Sequence, residues 1–266
     1  GHDDAQRNYR QTLALLERTV THTVGDWADG EARYGALLTP QGKIIADYIA
    51  MRTADGVRID VHEDAADDLV KRLKLFRVRA DVEIGRVPGL AVLADTGGVP
   101  DPRSPALPHR TIGTPPADAG LFPDWDSEAI AAGVPEWGAD FVAAEVFPTD
   151  VNMDQLGGID YRKGCFVGQE VASRMKRKAT IRKRTIYLTG TGVTKGADVM
   201  AGTVRIGEVT RASGGAGLAR VRTDRLAQAI AGGEARTCAG SPVSMDPPAW
   251  LRAELTSLAQ GATADD

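Results

Sequence analysis

Cysteine is scarce in this chain: Cys165 and Cys238 are the only two in 266 residues, and they lie far apart with no CxxC spacing. A disulfide framework and a zinc ribbon are thereby excluded, and a reducing compartment is expected, taken as the cytoplasm. The four histidines, His2, His22, His62 and His109, are scattered without the i, i+4 spacing of a zinc helix. Two thiols also fall short of the usual set of about four that holds an iron–sulfur cluster, so a monomer cannot build one alone. No metal site is expected. Long apolar runs are missing as well: no stretch approaches the roughly 18 residues of a membrane span, and no charged-then-apolar leader opens the chain. No membrane partner is expected. There is no GxGxxG and no P-loop; the glycines at 211–217 lack the lysine and following helix of a phosphate cradle and read as a hairpin loop. No Ser, His and Asp constellation can be assembled.

The composition is that of an ordinary globular protein, with 42% hydrophobic and 26% charged residues. The net charge of -4 weakly repels nucleic acid and anionic membranes, so only a local basic patch would attract a polyanion. The length allows two or three lobes at about 100–200 residues per domain. Gly1-His2 in place of methionine predicts missing native residues or a foreign N-terminal remnant.

Apolar residues at Leu13, Leu16 and Val20 have helical spacing over about 5–20. Three β-like runs, 34–39, 43–52 and 57–61, are separated by Pro40-Gln41-Gly42 and Ala54-Asp55-Gly56, which predicts a meander. Leu69, Leu73 and Phe76 share a helical face over 63–76, and the alternation of Val78, Ala80, Val82 and Ile84 predicts a half-buried strand. The Pro-, Gly- and Thr-rich stretch 97–123 reads as a long connection and a poor place for a core. Short Val-, Ile- and Thr-rich runs at 185–189, 197–200, 203–212 and 217–223 alternate with glycines and suggest a small antiparallel barrel. The boundaries expected are 1–183 for the first region, 184–250 for the barrel and 251–266 for a C-terminal helix and a tail that frays from Gly261.

The densest chemistry is Lys163-Gly164-Cys165-Phe166-Val167-Gly168-Gln169-Glu170, followed by Val171-Ala172-Ser173-Arg174. A neighbouring cation or a helix N-terminus lowers a thiol's pKa, and Cys165 has Lys163 beside it and a helix start ahead of it. Gly164 and Gly168 both read as positions for positive φ and close approach. Glu170 falls in the first helical turn, where the dipole favours an acid. The same pattern also fits a helix cap around a buried structural cysteine. A basic cluster follows, Arg174, Lys176, Arg177, Lys178, Arg182, Lys183 and Arg184, with Arg162 and Lys163 before it. It is either a solvated face or an attractor of a polyanion such as a folate's glutamate tail or a tRNA backbone. Aromatic interleaving for base stacking is missing from the cluster, which favours an extended carboxylate ligand or an acidic protein.

The stretch 157–174, Gly-Gly-Ile-Asp-Tyr-Arg-Lys-Gly-Cys-Phe-Val-Gly-Gln-Glu-Val-Ala-Ser-Arg, resembles the signature of the YgfZ family, folate-binding proteins related to the glycine-cleavage T-protein. The segment 32–48, Ala-Arg-Tyr-Gly-Ala-Leu-Leu-Thr-Pro-Gln-Gly-Lys-Ile-Ile-Ala-Asp-Tyr, is similar to the hairpin near the folate site of that superfamily. Weaker similarity runs through 75–79, 133–136 and 205–210. The resemblance implies an α+β fold, a T-protein-like three-lobed ring of two interleaved α+β lobes and a C-terminal antiparallel β-barrel. It implies an additional N-terminal strand in relatives. It also implies a tetrahydrofolate-binding accessory factor for assembly or repair of iron–sulfur clusters in client enzymes, not a classical turnover enzyme. Folate and iron–sulfur client or assembly proteins are then the expected partners. Within it, Cys165 is the working thiol, favoured as thiolate by Lys163, while Asp47, Lys163, Gln169, Glu170 and Arg174 hold the folate. T-proteins have two adjacent acids where this chain has Ala46 and Asp47, an arginine at Gln169 and a pterin-gripping acid near Ala131. Those departures count against the alternative of an aminomethyl or methyl transferase, since an unpaired buried donor on a pterin costs about 1–3 kcal/mol. A second alternative is an RNA-facing helper in tRNA modification.

Overall fold

The computed structural model describes residues 2–177 and 181–262. The chain divides into two compact units. The first comprises 2–123, Val142–Pro148 and Met153–Arg177, and the second comprises Asp124–Phe141, Thr149–Asn152 and the chain from 181 onward.

The first unit opens with helix α1, His2–Thr19, whose Leu15 and Leu16 are buried. The meander follows as β1 (Ala32–Leu38), β2 (Ile44–Thr53) and β3 (Gly56–Val61), an antiparallel sheet in sequence order. The two turns fall where Pro40-Gln41-Gly42 and Ala54-Asp55 put them. In β2, residues 44–51 are buried without alternation, as a continuous apolar run predicts for a strand covered on both faces. Helix α2 (Glu63–Arg77) buries Ala65, Ala66, Leu69 and Leu73 along one stripe, and its N-cap His62 accepts from the Asp64 N–H. That bond accounts for one of the scattered histidines.

The strand expected over 78–84 does not form. Val78 takes a left-handed φ of 51° and is exposed, and the chain turns there, with the Ala80 N–H donating to the Arg77 carbonyl. The alternation survives as burial without a strand: Val82 is buried and Ala80 and Ile84 are half-buried, while Arg79, Asp81, Glu83 and Gly85 are exposed. Residues 57–61 and 82–87 both line a cavity of about 360 Å³, so a void lies where a ladder would be needed. The stretch 97–123 is also more ordered than a plain connection. Strands β4 (Ala91–Val99) and β5 (Arg110–Gly113) pair antiparallel across an irregular register. Between them the Asp101 carboxylate is fully buried against Arg103 and Arg110, at 2.8 and 2.6 Å. Burial pushes its pKa up, and the two guanidiniums outweigh that and hold it below the usual range. This is a polar core, which an apolar pattern does not announce.

The second unit contains helix α3 (Trp125–Ala131) and a seven-stranded antiparallel sheet. After helix α4 (Gln169–Arg177), which belongs to the first unit, come β6 (Lys183–Thr189), β7 (Asp198–Ala201), β8 (Val204–Ser213) and β9 (Ala216–Arg222). Helix α5 (Thr223–Ala231) and three short strands, β10 (Arg236–Cys238), β11 (Ser241–Pro242) and β12 (Ser244–Met245), precede helix α6 (Ala249–Ala262). The sheet order is β11-β10-β7-β8-β9-β6-β12. Its two outermost strands are separated in sequence by Val243 alone, which forces the edges together and makes the sheet a nearly closed barrel. Closure removes the exposed edges that invite aggregation. The expected hairpin loop at 211–217 is the tight turn between β8 and β9, with Gly214 and Gly215 at φ 58° and 80°. Ile186, Leu188, Val199, Ile206, Val209, Val221, Leu226 and Leu251 form the core; each contributes about 1.5–3 kcal/mol by burial.

Candidate functional site

The two motifs singled out in the sequence meet within the first unit. The turn between β1 and β2 is closed by Thr39, whose N–H donates to the Lys43 carbonyl at 2.7 Å and whose carbonyl accepts from Gly42 at 2.8 Å. Gly42 has φ 83° and lies against Val171 of α4. Gly168, at φ 79°, packs directly on this turn: a Cβ there would stand 2.5 Å from the Thr39 oxygen and 3.0 Å from Leu38 Cβ. The expectation for Gly168 therefore holds for a specific reason. Gly164 differs, with ordinary φ and nothing within 4 Å of a Cβ.

Upstream, the signature is stitched to the segment between α1 and β1. Thr21 Oγ1 donates to the Gly158 carbonyl at 2.6 Å, and the Asp160 N–H donates to the Thr21 carbonyl at 2.9 Å. Thr23 Oγ1 donates to Asp160 Oδ2 at 2.9 Å. Gly158 has no room for a side chain, since a Cβ would lie 2.5 Å from Met153 and 2.6 Å from the Tyr34 ring. Tyr34 in turn donates its hydroxyl to Asp47 Oδ2 at 2.9 Å. Asp47 is buried on the same sheet face, because Ala36, two residues from Tyr34, is its cross-strand partner. Nothing in the sequence assigned Tyr34 this role, because the β1–β2 register that brings it to the face of Asp47 belongs to the fold.

Lys163 corrects an expectation. Its ammonium faces neither solvent nor an open ligand site. Nζ donates to the carbonyls of Val20 at 2.8 Å and His22 at 2.7 Å, with Glu17 at 3.8 Å, and the side chain is 1% exposed. Burial lowers its pKa to about 8. Two of its three N–H donors are thereby engaged by backbone carbonyls, with the Glu17 carboxylate beside them. Gln169 likewise faces inward to the loop, its Nε2 donating to the Lys163 carbonyl at 3.1 Å.

Cys165 is exposed, which settles the choice against a buried structural cysteine, whereas Cys238 is buried in the barrel. Phe166, next to the thiol, is buried. Helix α4 then starts with Glu170 in its first turn and ends with Arg174, Lys176 and Arg177 in its last, each matched to the helix dipole. Glu170 and Arg174 form an exposed i, i+4 pair at 2.7 Å. Such a pair holds by only about 0.3–0.5 kcal/mol, so Arg174 is released to an incoming anion at little cost.

The basic cluster is thus not a single face. Arg162, Arg174, Lys176, Arg177, Arg182 and Lys183 are exposed, and Lys178 lies outside the described residues. Arg184 is fully buried in the second unit. It pairs with Glu254 at 2.7 Å, donates to the Thr149 carbonyl at 3.1 Å and lies 4.9 Å from the Trp250 ring centroid. Ala131 ends α3, exposed, in that unit too. An acid the sequence did not single out, Asp140, is buried there, bonded by Thr210 and 3.1 Å from Arg211. Burial raises its pKa despite the arginine.

Among the described residues no group of three His, Cys, Asp or Glu side chains is placed to hold a metal ion, and no helix is long and apolar enough to cross a membrane. The cavity of about 360 Å³ is lined by none of Asp47, Lys163, Cys165, Gln169, Glu170 and Arg174. Of the residues expected to hold a folate, Asp47 is a buried carboxylate, Glu170 and Arg174 form the exposed ion pair, and Lys163 and Gln169 are bonded within the loop.

Comparison with known proteins places the fold in the class of the T-protein aminomethyltransferases. The solved glycine cleavage system aminomethyltransferase T from Bartonella henselae superposes with a TM-score of 0.64 at 15% identity, over 88% of this chain and 80% of that one. Residues 182–253 match the CAF17 C-terminal β-barrel domain. More particularly, the chain is similar to mitochondrial iron–sulfur cluster assembly factors. It is 27% identical to the IBA57 homolog of Neurospora crassa over 65% of this chain and 48% of that protein. It is 25% identical to human IBA57 over 73% and 66% of the respective lengths. The chain spans about half the length of its fungal relatives.

Proposed function

We propose that this protein is an iron–sulfur cluster assembly factor in which Cys165 is the thiolate that meets the cluster during its passage to a client. The observation that carries the reading is an exposed thiol held in a loop anchored on both sides, in a chain whose relatives are named for that task. The cluster is cargo. One exposed thiol supplies one ligand of about four, so the remaining ligands come from a partner assembly protein. A reducing compartment, the cytoplasm in this proposal, keeps that thiol free.

Tetrahydrofolate or a derivative, as in YgfZ-type proteins, is the ligand proposed for Asp47 and Arg174; when bound it supplies nitrogens able to carry a one-carbon unit. Asp47 would meet the polar ring edge and Arg174 the anionic tail. The exposed cations Arg162, Lys176 and Arg177 leave room for tRNA as a partner, which steep weakening of RNA binding with salt would reveal.

The deciding experiment is support of cluster-dependent enzymes in cells lacking the protein, comparing wild type with Cys165→Ser. The serine variant is expected to fold normally and to lose that support; full support would overturn the assignment. Titration calorimetry with tetrahydrofolate, on wild type and Arg174→Ala, tests the folate part separately. Binding weakened by the substitution supports it, and no binding to the folded protein removes it.

A further inference from the structure

Between Gly158 and Gly168 the chain touches its surroundings at fixed points on either side of Cys165. On the upstream side Gly158 and Asp160 are tied to Thr21 and Thr23. Nearest the thiol is Lys163, which reaches back more than a hundred residues in sequence to the Val20 and His22 carbonyls. Its ammonium also lies 5.4 Å from the ring centroid of Phe166, the buried residue just past the thiol. The Lys163 carbonyl is itself held from the helix side by Gln169. On the downstream side Gly168 is seated on Thr39 and Gly42. Only Gly164 and Cys165 separate the lysine from Phe166, and both are exposed.

The segment receiving the ammonium is itself fixed. Val20 follows α1 and its N–H donates to the Leu16 carbonyl, while the Thr21 N–H donates to Ala36 of β1 and the Ala36 N–H returns to Thr21 Oγ1. His22 packs against Trp27 and Tyr48 at 5.3 and 5.8 Å between ring centroids. A hydrogen bond to so rigid a receiver transmits position, whereas a bond to a mobile loop would not.

We propose that Lys163 is a positioning residue whose ammonium, bound to the Val20 and His22 carbonyls, fixes the backbone entering Cys165 and holds the thiol outward between the Lys163 and Gly168 anchors. That role is one of position, distinct from activating the thiolate through space or gripping a folate. It rests on the reading of Cys165 as the working thiol for its biological meaning, although the geometry itself does not depend on that reading.

The test attaches a nitroxide label to Cys165 in a Cys238→Ala background and reads its electron paramagnetic resonance line shape. The wild-type loop is expected to give a dominant immobilised component, and Lys163→Met to shift the spectrum toward the mobile component while circular dichroism stays native. An unchanged spectrum in the folded variant overturns the proposal. Leu73→Ala, on α2 and buried, is the control for general loss of stability. If it mobilises the label as much as Lys163→Met does, the lysine is merely structural and the proposal fails. Should Lys163→Met not fold, Gln169→Ala removes the bond to the Lys163 carbonyl and is expected to give a smaller shift in the same direction; no shift counts against the proposal. Retained cellular support by Cys165→Ser alongside an immobilised wild-type label would remove the function of the thiol and leave the anchor standing.

Discussion

The two glycines that flank the thiol should respond oppositely to the same substitution. At Gly168 an alanine meets two penalties. Its φ of 79° lies in the left-handed region, which costs an L-residue about 1–2 kcal/mol. Its Cβ would lie 2.5 Å from the Thr39 carbonyl oxygen and 3.2 Å from Gly42 Cα, backbone atoms of a tight turn that cannot swing aside as a side chain can. Overpacking of that kind costs about 1–3 kcal/mol. The sum is about 2–5 kcal/mol, and with a urea m-value of about 2–3 kcal/mol per M the midpoint should fall by about 1–2 M. At Gly164 neither penalty exists, so Gly164→Ala should be neutral or raise stability by up to about 1 kcal/mol by restricting the unfolded chain. Urea denaturation followed by circular dichroism on both variants provides the comparison. A Gly168→Ala protein within about 0.5 kcal/mol of wild type, or a Gly164→Ala protein destabilised as much as Gly168→Ala, would refute the reasoning.

Acid should destabilise the first unit through His22, whose pKa burial lowers from 6.5 to about 4 even though its Nδ1 is bonded to the Thr23 carbonyl. The folded state holds the ring neutral while the unfolded chain takes up a proton. The contribution is therefore complete above about pH 6.5 and falls as the pH drops toward 4, by about 3 kcal/mol in all. Urea midpoints across that window, with His22→Asn flattening the slope, check it; parallel slopes would exclude the histidine. Arg184→Met should cost the second unit about 1–3 kcal/mol by removing the buried guanidinium's bonds to Glu254 and to the Thr149 carbonyl. Arg182→Ala and Lys183→Ala should each stay within about 0.5 kcal/mol, and thermal melts of the three would expose any error in this division of the basic cluster. Tyr34→Phe strips one hydrogen bond from the buried Asp47 carboxylate and should cost about 1–3 kcal/mol in the same assay; no loss would mean that the carboxylate is satisfied without it.

Legibility tracked the type of interaction. The meander could be read from its turns because Pro40, Gly42 and Gly56 act locally and β-branched runs lie between them. The barrel strands were likewise visible, although α5 was missed because Arg222-Thr223-Asp224 continues a strand-like run. The 78–84 segment misled because alternation reports one buried face and says nothing of a ladder partner. Asp101 and Arg184 were hidden for a different reason. A charged side chain is buried only when a distant segment supplies its partner, and sequence spacing carries no record of that partner. The thiol, the glycine turn and the helix start were all recognised, but the direction of Lys163 was not, since the Val20 and His22 carbonyls are identical to any others in the sequence.

The energetics of Lys163 explain why position is the property to test. A shift from 10.5 to about 8 means that keeping the ammonium charged in the interior at neutral pH costs about 3 kcal/mol. The two bonds to backbone carbonyls offset part of the burial, so the anchor adds little net stability. An apolar side chain of the same length avoids the burial cost but leaves the two carbonyls without their donor. What the ammonium adds beyond any apolar residue is direction: two acceptors 2.7 and 2.8 Å away define the path of the backbone two residues before Cys165. A stability measurement alone will therefore understate this lysine, and the order of the thiol it leads to is the sensitive observable.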